Sequence, residues 1–176
     1  MLKRFLKKLY ESKDTKGKHK SSLEKLVAKK LTKTKKTIGI AESCTGGLLS
    51  KRLTDIPGSS KYIKLNVVTY SDNSKNKLLS VPQDILKKYG AVSAEVVGAM
   101  AVGIKKLANV DIGLSVTGIA GPTGGTKTKP IGLIYFGLAN RNNVKTRKML
   151  FGSNATRDEI RWLATQYALN WLKQEL

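Results

Sequence analysis

The sequence is poor in the residues that build disulfides, metal sites and histidine-based catalytic centres. It contains a single cysteine, Cys44, and a single histidine, His19, in 176 residues. One cysteine cannot form an internal disulfide, which fits a reducing compartment, and we expect a cytoplasmic protein. One histidine excludes a multi-histidine metal centre. Because His19 lies in a polar stretch near the start, a Ser-His-Asp or Cys-His centre is also disfavoured.

Long apolar runs and acidic residues are scarce as well. No run approaches the roughly 20 apolar residues that a membrane-spanning helix requires. The sequence has 33 Lys and Arg against 12 Asp and Glu, which gives a formal net charge of +21. Residues 1–36 hold 14 of these cations and three of the acids. Such an excess of cations is typical of chains that bind nucleic acid, anionic lipid or phosphorylated ligands. It is equally typical of a surface whose lysines are solvated and bind no partner.

Length and apolar content are those of one folded domain, preceded by a basic arm. The apolar fraction is 40% over 176 residues, which is typical of a single globular unit. Residues 1–10 space their apolar side chains as in a short helix, and residues 11–20 are polar, as in a linker. We therefore predict an arm over 1–20 and a domain over 21–176. Contact of the arm with nucleic acid or a membrane is disfavoured but left open.

The domain alternates between short apolar segments and helical periodicities. Strands are predicted at 37–42, 64–71, 111–117, 132–140 and 144–151. Helices are predicted at about 22–33, 46–54, 82–89, 93–108 and 155–176. This alternation predicts an α/β protein, a single three-layer α/β/α domain with a mostly parallel mixed sheet. Ligands of such sheets gather at the carboxyl ends of strands, where glycines and small hydroxyl residues dominate at 43–47, 70–75 and 117–125.

Several short motifs occur in order along the domain. They are AESCTGG at 41–47, DIPGSS at 55–60, VTYSDNSK at 68–75, YGAVSAE at 89–95, and TGIAGPTGG at 117–125 followed by KPIG. Together they resemble the CinA C-terminal domain family, the PncC-type nicotinamide-nucleotide amidohydrolases. The resemblance implies hydrolysis of nicotinamide mononucleotide to nicotinate mononucleotide and ammonia, in pyridine nucleotide salvage. It implies a small-molecule nucleotide substrate and no metal or organic cofactor, and it leaves a homo-oligomer open.

The resemblance also implies roles for individual residues. Ser43 is the expected nucleophile, and Lys75 is expected to take its proton, directly or through Tyr70. Backbone N–H groups at the start of the following helix are expected to hold the oxyanion. The expected substrate-binding residues are Thr45, Gly46, Gly47, Thr117, Gly118, Ala120, Gly121, Arg157 and Arg161. Cys44 is expected to be a buried structural residue.

Each assignment has a structural alternative. Ser43 is also placed to cap the following helix, Tyr70 to be an ordinary strand residue, and Lys75 to be one surface lysine among many. Arg157 and Arg161 lie one turn apart, which suits phosphate binding or a solvated helix face. The alternative function is a non-catalytic protein that binds a nucleotide or joins a competence or DNA-damage complex.

Overall fold

The structure is a computed structural model that describes residues 22–141 and 143–176, so the predicted arm lies outside the described residues. Its five strands are β1 (Ile38–Glu42), β2 (Ile63–Val68), β3 (Ile112–Gly118), β4 (Leu133–Ala139) and β5 (Val144–Leu150). The helices are α1 (Leu23–Lys33), α2 (Leu48–Thr54), α3 (Asp72–Leu79), α4 (Gln83–Tyr89), α5 (Ala94–Leu107) and α6 (Arg157–Glu175). A 3₁₀ turn at Ser59–Lys61 leads into β2.

The strands form one mixed sheet in the order β2-β1-β3-β4-β5. The central strand β1 is parallel to both of its neighbours, β2 and β3. The strand β4 runs antiparallel to β3, and β5 runs antiparallel to β4. Within the described residues, β4 is therefore the strand that reverses direction, and the predicted mostly parallel α/β sheet is confirmed.

Helices cover both faces of the sheet. On one face α1, α2 and α6 enclose an apolar core that includes Ile38, Ile40 and Trp171. On the other face α3, α4 and α5 pack around Ala41 and Met100. The connections from β1 to β2 and from β2 to β3 move in opposite directions across the sheet, so right-handed crossovers put their helices on opposite faces. This arrangement opens a crevice between the carboxyl ends of β1 and β3, where ligands of such sheets bind.

Glycines of the sheet lie directly beneath helix α5. One glycine comes from each of three neighbouring strands: Gly39, Gly113 and Gly137. A Cβ on Gly113 would lie 2.0 Å from the carbonyl oxygen of Ala101, and one on Gly137 would lie 2.4 Å from that of Val97. Either distance is a clash with backbone, so these positions accept no side chain without a shift of the helix.

The helix α3 was not predicted from the sequence. Its segment, DNSKNKLL, is mostly polar and shows no apolar stripe. Its start is fixed locally, because the Ser71 hydroxyl accepts from the Ser74 N–H and the Ser74 hydroxyl lies 3.1 Å from the Ser71 N–H. This reciprocal pair is a capping box built from two serines.

The helix predicted at 46–54 begins later, at Leu48, because Gly46 and Gly47 adopt positive φ angles of 62° and 95°. Within residues 22–141 and 143–176, no helix combines the length and apolarity needed to cross a membrane.

Candidate active site

Ser43 lies in the tight turn that joins β1 to α2. The turn spans residues 43–47, and its two glycines provide the left-handed backbone that other residues rarely adopt. Ser43 is 8% exposed. Its hydroxyl does not cap α2, because the N-cap position is occupied by Gly47 and no side chain forms a capping hydrogen bond there. The capping alternative for Ser43 is therefore wrong.

The start of α2 is held by Glu42, the last residue of β1. This carboxylate is fully buried. It accepts the backbone N–H groups of Gly47 at 3.0 Å, Leu49 at 3.1 Å and Ser50 at 2.8 Å, together with the Ser50 hydroxyl at 2.6 Å. A negative charge is stabilised at this end of a helix. These three N–H groups are already bonded, so they are not free to hold an oxyanion.

Lys75 approaches Ser43 from the first turn of α3. Its side chain is 1% exposed. Its Nζ lies 3.4 Å from the Ser43 Oγ, 3.0 Å from the Thr69 carbonyl oxygen and 3.4 Å from the Tyr70 carbonyl oxygen. Burial lowers the pKa of Lys75 below its ordinary 10.5, although the Asp72 carboxylate opposes part of the shift. Lys75 is therefore a buried amine beside a hydroxyl and not one surface lysine among many.

The three oxygens around Lys75 Nζ can accept all three N–H bonds of an ammonium group, or two N–H bonds of a neutral amine whose lone pair faces the Ser43 hydroxyl. A neutral amine has two N–H bonds and one lone pair, whereas an ammonium group has three N–H bonds and no acceptor. In the neutral state, which burial favours, the carbonyl oxygens of Thr69 and Tyr70 accept the two N–H bonds, and the lone pair is left for the Ser43 hydroxyl. In this state Lys75 is placed to accept the proton of Ser43.

Tyr70 and Arg157 form the outer wall of the same pocket. The Tyr70 side chain is 63% exposed, and its hydroxyl accepts from Arg157 Nη2 at 3.0 Å. Arg157 Nη1 also donates to the Gly121 carbonyl oxygen at 2.5 Å. The Tyr70 hydroxyl is thus directed toward Arg157, while Lys75 contacts Ser43 directly. The sequence left two routes open for the Ser43 proton, directly to Lys75 or through Tyr70. Only the direct route is supported by a contact among the described residues, between Lys75 Nζ and Ser43 Oγ.

Eight of the predicted site residues line one pocket of about 310 Å³. They are Ser43, Tyr70, Lys75, Thr117, Gly118, Ala120, Gly121 and Arg157. The volume lies at the lower end of the range for small-molecule sites. Ala91 and Val92 also line it and were not predicted. Thr117 fixes their loop, because its hydroxyl donates to the Ala91 carbonyl oxygen at 3.0 Å.

The other four predicted residues, Thr45, Gly46, Gly47 and Arg161, line a second pocket of about 630 Å³. Ser43 and Cys44 of the turn line the first pocket, whereas residues 45–47 line the second. Arg161 reaches the turn itself, because its Nε donates to the Cys44 carbonyl oxygen at 2.9 Å. The structure therefore does not bring these four residues into the Ser43 pocket.

Cys44 is buried, as predicted. It is 5% exposed, and burial raises the pKa of its thiol from 9.0 to about 12. A thiol is a nucleophile only after deprotonation. At neutral pH the thiolate is accordingly much rarer here than at an exposed cysteine.

Glu42 offers a direct test of how the turn is held. We expect Glu42→Gln to lower the free energy of unfolding by about 3 kcal/mol, because an amide nitrogen would then face backbone N–H donors in a buried site. Urea denaturation measures this change. The matched control is Glu95→Gln, an exposed carboxylate in the first turn of α5, which should stay within about 0.5 kcal/mol of the wild type. A loss for Glu42→Gln as small as that of the control would mean that Glu42 does not hold the turn.

Known proteins show the same sequence pattern and the same architecture. Residues 20–176 match the family described as the CinA C-terminal domain. The chain is 48% identical over 155 residues to a CinA-like protein of Geotalea uraniireducens, a stretch that covers 88% of the chain and 36% of that protein. It is 52% identical over 160 residues to a putative competence-damage inducible protein of Alkaliphilus oremlandii, a stretch that covers 91% of the chain and 38% of that protein. The chain thus spans less than two fifths of the length of these curated relatives.

Solved structures agree with this match. The competence/damage inducible protein CihA from Agrobacterium tumefaciens superposes with a TM-score of 0.81 at 37% identity, covering 85% of the chain and 93% of that structure. A CinA superfamily protein from Escherichia coli gives a TM-score of 0.83 at 33% identity, covering 88% and 91%.

Proposed function

The chain belongs to the CinA C-terminal domain family, and from this premise we propose that it is a nicotinamide-nucleotide amidohydrolase. The proposed reaction converts nicotinamide mononucleotide and water to nicotinate mononucleotide and ammonia, in pyridine nucleotide salvage in the cytoplasm. The observation that carries the proposal is the contact of 3.4 Å between Lys75 Nζ and Ser43 Oγ, which joins two buried side chains. A neutral amine beside a hydroxyl is a pair that can attack a carboxamide without histidine or metal.

The first half of the reaction forms an acyl-enzyme. The neutral amine of Lys75 accepts the Ser43 proton as Oγ bonds to the carboxamide carbon. The tetrahedral intermediate then collapses with cleavage of the C–N bond, and the Lys75 ammonium returns the proton to the leaving nitrogen, which departs as ammonia. General acid and base assistance of this kind contributes about 10²–10⁴-fold to the rate.

The second half releases the acid. Water attacks the ester carbon, and Lys75 accepts its proton. Collapse of this second intermediate breaks the bond to Oγ, and Lys75 returns the proton to Ser43. The enzyme ends in its starting state, and the product carries a carboxylate where the substrate carried an amide.

Substrate contacts follow from the walls of the pocket. Arg157 is the guanidinium that lines the pocket beside Ser43, so we assign to it a contact with a negatively charged part of the substrate. We assign to the exposed ring of Tyr70 a contact that covers the substrate at the rim. Another wall is formed by the last two residues of β3, Thr117 and Gly118, and by the following Ala120 and Gly121; small residues there let a ligand approach the backbone closely.

Stoichiometric product formation tests the proposal. We expect the wild-type chain to release ammonia and nicotinate mononucleotide in equal amounts from nicotinamide mononucleotide, measured by coupled ammonia assay and chromatography. Folded protein that binds the nucleotide but releases no ammonia between pH 6 and pH 10 would contradict the proposal. That result would favour the alternative of a non-catalytic nucleotide-binding protein.

A further inference from the structure

The end of the sheet away from Ser43 carries a cluster of cations. At this end β1 and β3 begin and β4 ends, because β4 runs antiparallel to β3. We call this cluster the basic end and define it by Lys36, Lys105, Lys106, Arg141 and Lys145. The first precedes β1, the two middle lysines occupy the last turn of α5, and the last two residues flank the turn that begins β5.

Carboxylates at this end are already engaged. Asp111 accepts both the N–H and the hydroxyl of Thr37 at 2.8 Å, and these hydrogen bonds lower its pKa. Glu175 pairs with Lys145 at 2.6 Å. In the part of the chain that the structure describes, neither Lys106 nor Arg141 forms an ion pair. Asp111 keeps its negative charge beside Lys105 and Lys36, but the five cations of the basic end outnumber these two carboxylates, so an excess of positive charge remains.

The basic end also contains a cavity of about 400 Å³. Val102 and Val144 supply its apolar surface and are 41% and 46% exposed. Lys105, Lys106 and Arg141 line it as well, and no acidic side chain is among its lining residues in the described part of the chain. The cavity thus combines an apolar surface with three cations.

We propose that the basic end binds single-stranded nucleic acid, with one nucleotide seated in this cavity. Phosphates of the strand would contact Lys105, Lys106 and Arg141, because cationic side chains supply most of the affinity for a nucleic-acid backbone. The unstacked base would lie on the two valines or against the Arg141 guanidinium plane, as bases of single strands do on flat or apolar surfaces.

The shape of the cavity favours a single strand over other polyanions. A membrane-binding surface projects many bulky apolar side chains into the lipid, whereas the exposed apolar side chains of the basic end are Val102, Val144 and Leu107, set among five cations. Reading a duplex from its major groove requires a helix or ribbon that projects into the groove, and the basic end is concave. The basic end shares no residue with the Ser43 pocket, so the proposal does not depend on the amidohydrolase activity.

Two variants of equal charge test the proposal in the full chain. The first changes Lys105, Lys106 and Arg141 to Gln. The second, the control, changes Lys64, Lys77 and Lys87 to Gln, three exposed lysines on β2, α3 and α4. Binding of a fluorescein-labelled 20-nucleotide oligothymidylate is followed by fluorescence anisotropy between 50 and 200 mM NaCl. Thermal unfolding and circular dichroism confirm that each variant remains folded.

We expect the basic-end variant to weaken binding about tenfold or more at 100 mM salt. We also expect it to flatten the plot of log affinity against log salt by about 2, since each lost phosphate contact removes about 0.7 from the slope for a single strand. The control variant should stay within about threefold of the wild type. Three results would overturn the proposal: equal weakening by both variants, absence of wild-type binding at 50 mM salt, or binding only to phosphatidylserine-containing vesicles.

Discussion

Ser43→Ala is expected to reduce ammonia release from nicotinamide mononucleotide by about 10⁴-fold or more, because loss of the nucleophile removes the covalent route. The change deletes one oxygen from a side chain that is 8% exposed and does not cap α2, so the fold should be retained. The measurement is kcat at saturating substrate, together with thermal unfolding.

Cys44→Ala is the matched control, because it alters the neighbouring residue of the same turn. With the pKa of its thiol raised to about 12 by burial, Cys44 is a poor nucleophile at neutral pH. We expect this variant to keep its turnover within a few fold of the wild type. If turnover instead vanished with Cys44 and survived without Ser43, the thiol would be the nucleophile.

Lys75→Met is expected to lower kcat by about 10³-fold, since it removes the proposed base from beside Ser43. Methionine has nearly the volume of the lysine stem, so the buried space stays filled. The control is Lys77→Met, an exposed lysine on the same helix, which should retain activity within about twofold. Turnover of Lys75→Met within tenfold of the wild type would exclude Lys75 as the base.

The pH dependence gives Lys75 a second signature. Burial lowers the pKa of Lys75 in the folded state below 10.5, so the unfolded chain binds its proton more readily than the folded chain does. The contribution of Lys75 to the free energy of unfolding is therefore lowest at pH values well below its pKa in the folded state. It rises as the pH increases from the pKa of the folded state to that of the unfolded state. Lys75→Met should lack this rise, which urea denaturation at a series of alkaline pH values would show. In wild type, kcat/KM should increase with pH through the same lowered pKa.

The layered fold was predictable because its signals are local and repeated. Buried strands such as 37–42 and 111–117 are short, apolar and bounded by turns. The observed strand Ile38–Glu42 begins one residue later than predicted, and Ile112–Gly118 is shifted by one residue at both ends. The helix α3 was missed because its stability comes from a serine capping box and from tertiary packing, not from an apolar stripe. Periodicity carries no information about such a helix.

The site was predictable only in part, for a different reason. The sequence motifs identify Ser43, Tyr70 and Lys75 as site residues. They do not show which nearby backbone N–H groups are already hydrogen-bonded to other side chains. Glu42 shows this limit, because its carboxylate takes the N–H groups expected for the oxyanion. An acid at the end of a buried strand, directly before a glycine turn, was the available signal. The division of the predicted residues between two pockets also depends on the path of α6, which the sequence does not encode locally.

Because β4 is antiparallel to β3, its end lies at the opposite end of the sheet from the Ser43 pocket. The Ser43 pocket opens at one pole of the sheet, and the cavity between α5 and β5 opens at the opposite pole. A chain tethered by its basic end to a polymer would therefore present the mouth of the Ser43 pocket to free solution. Small substrates and ammonia could then exchange by diffusion while the protein stays attached.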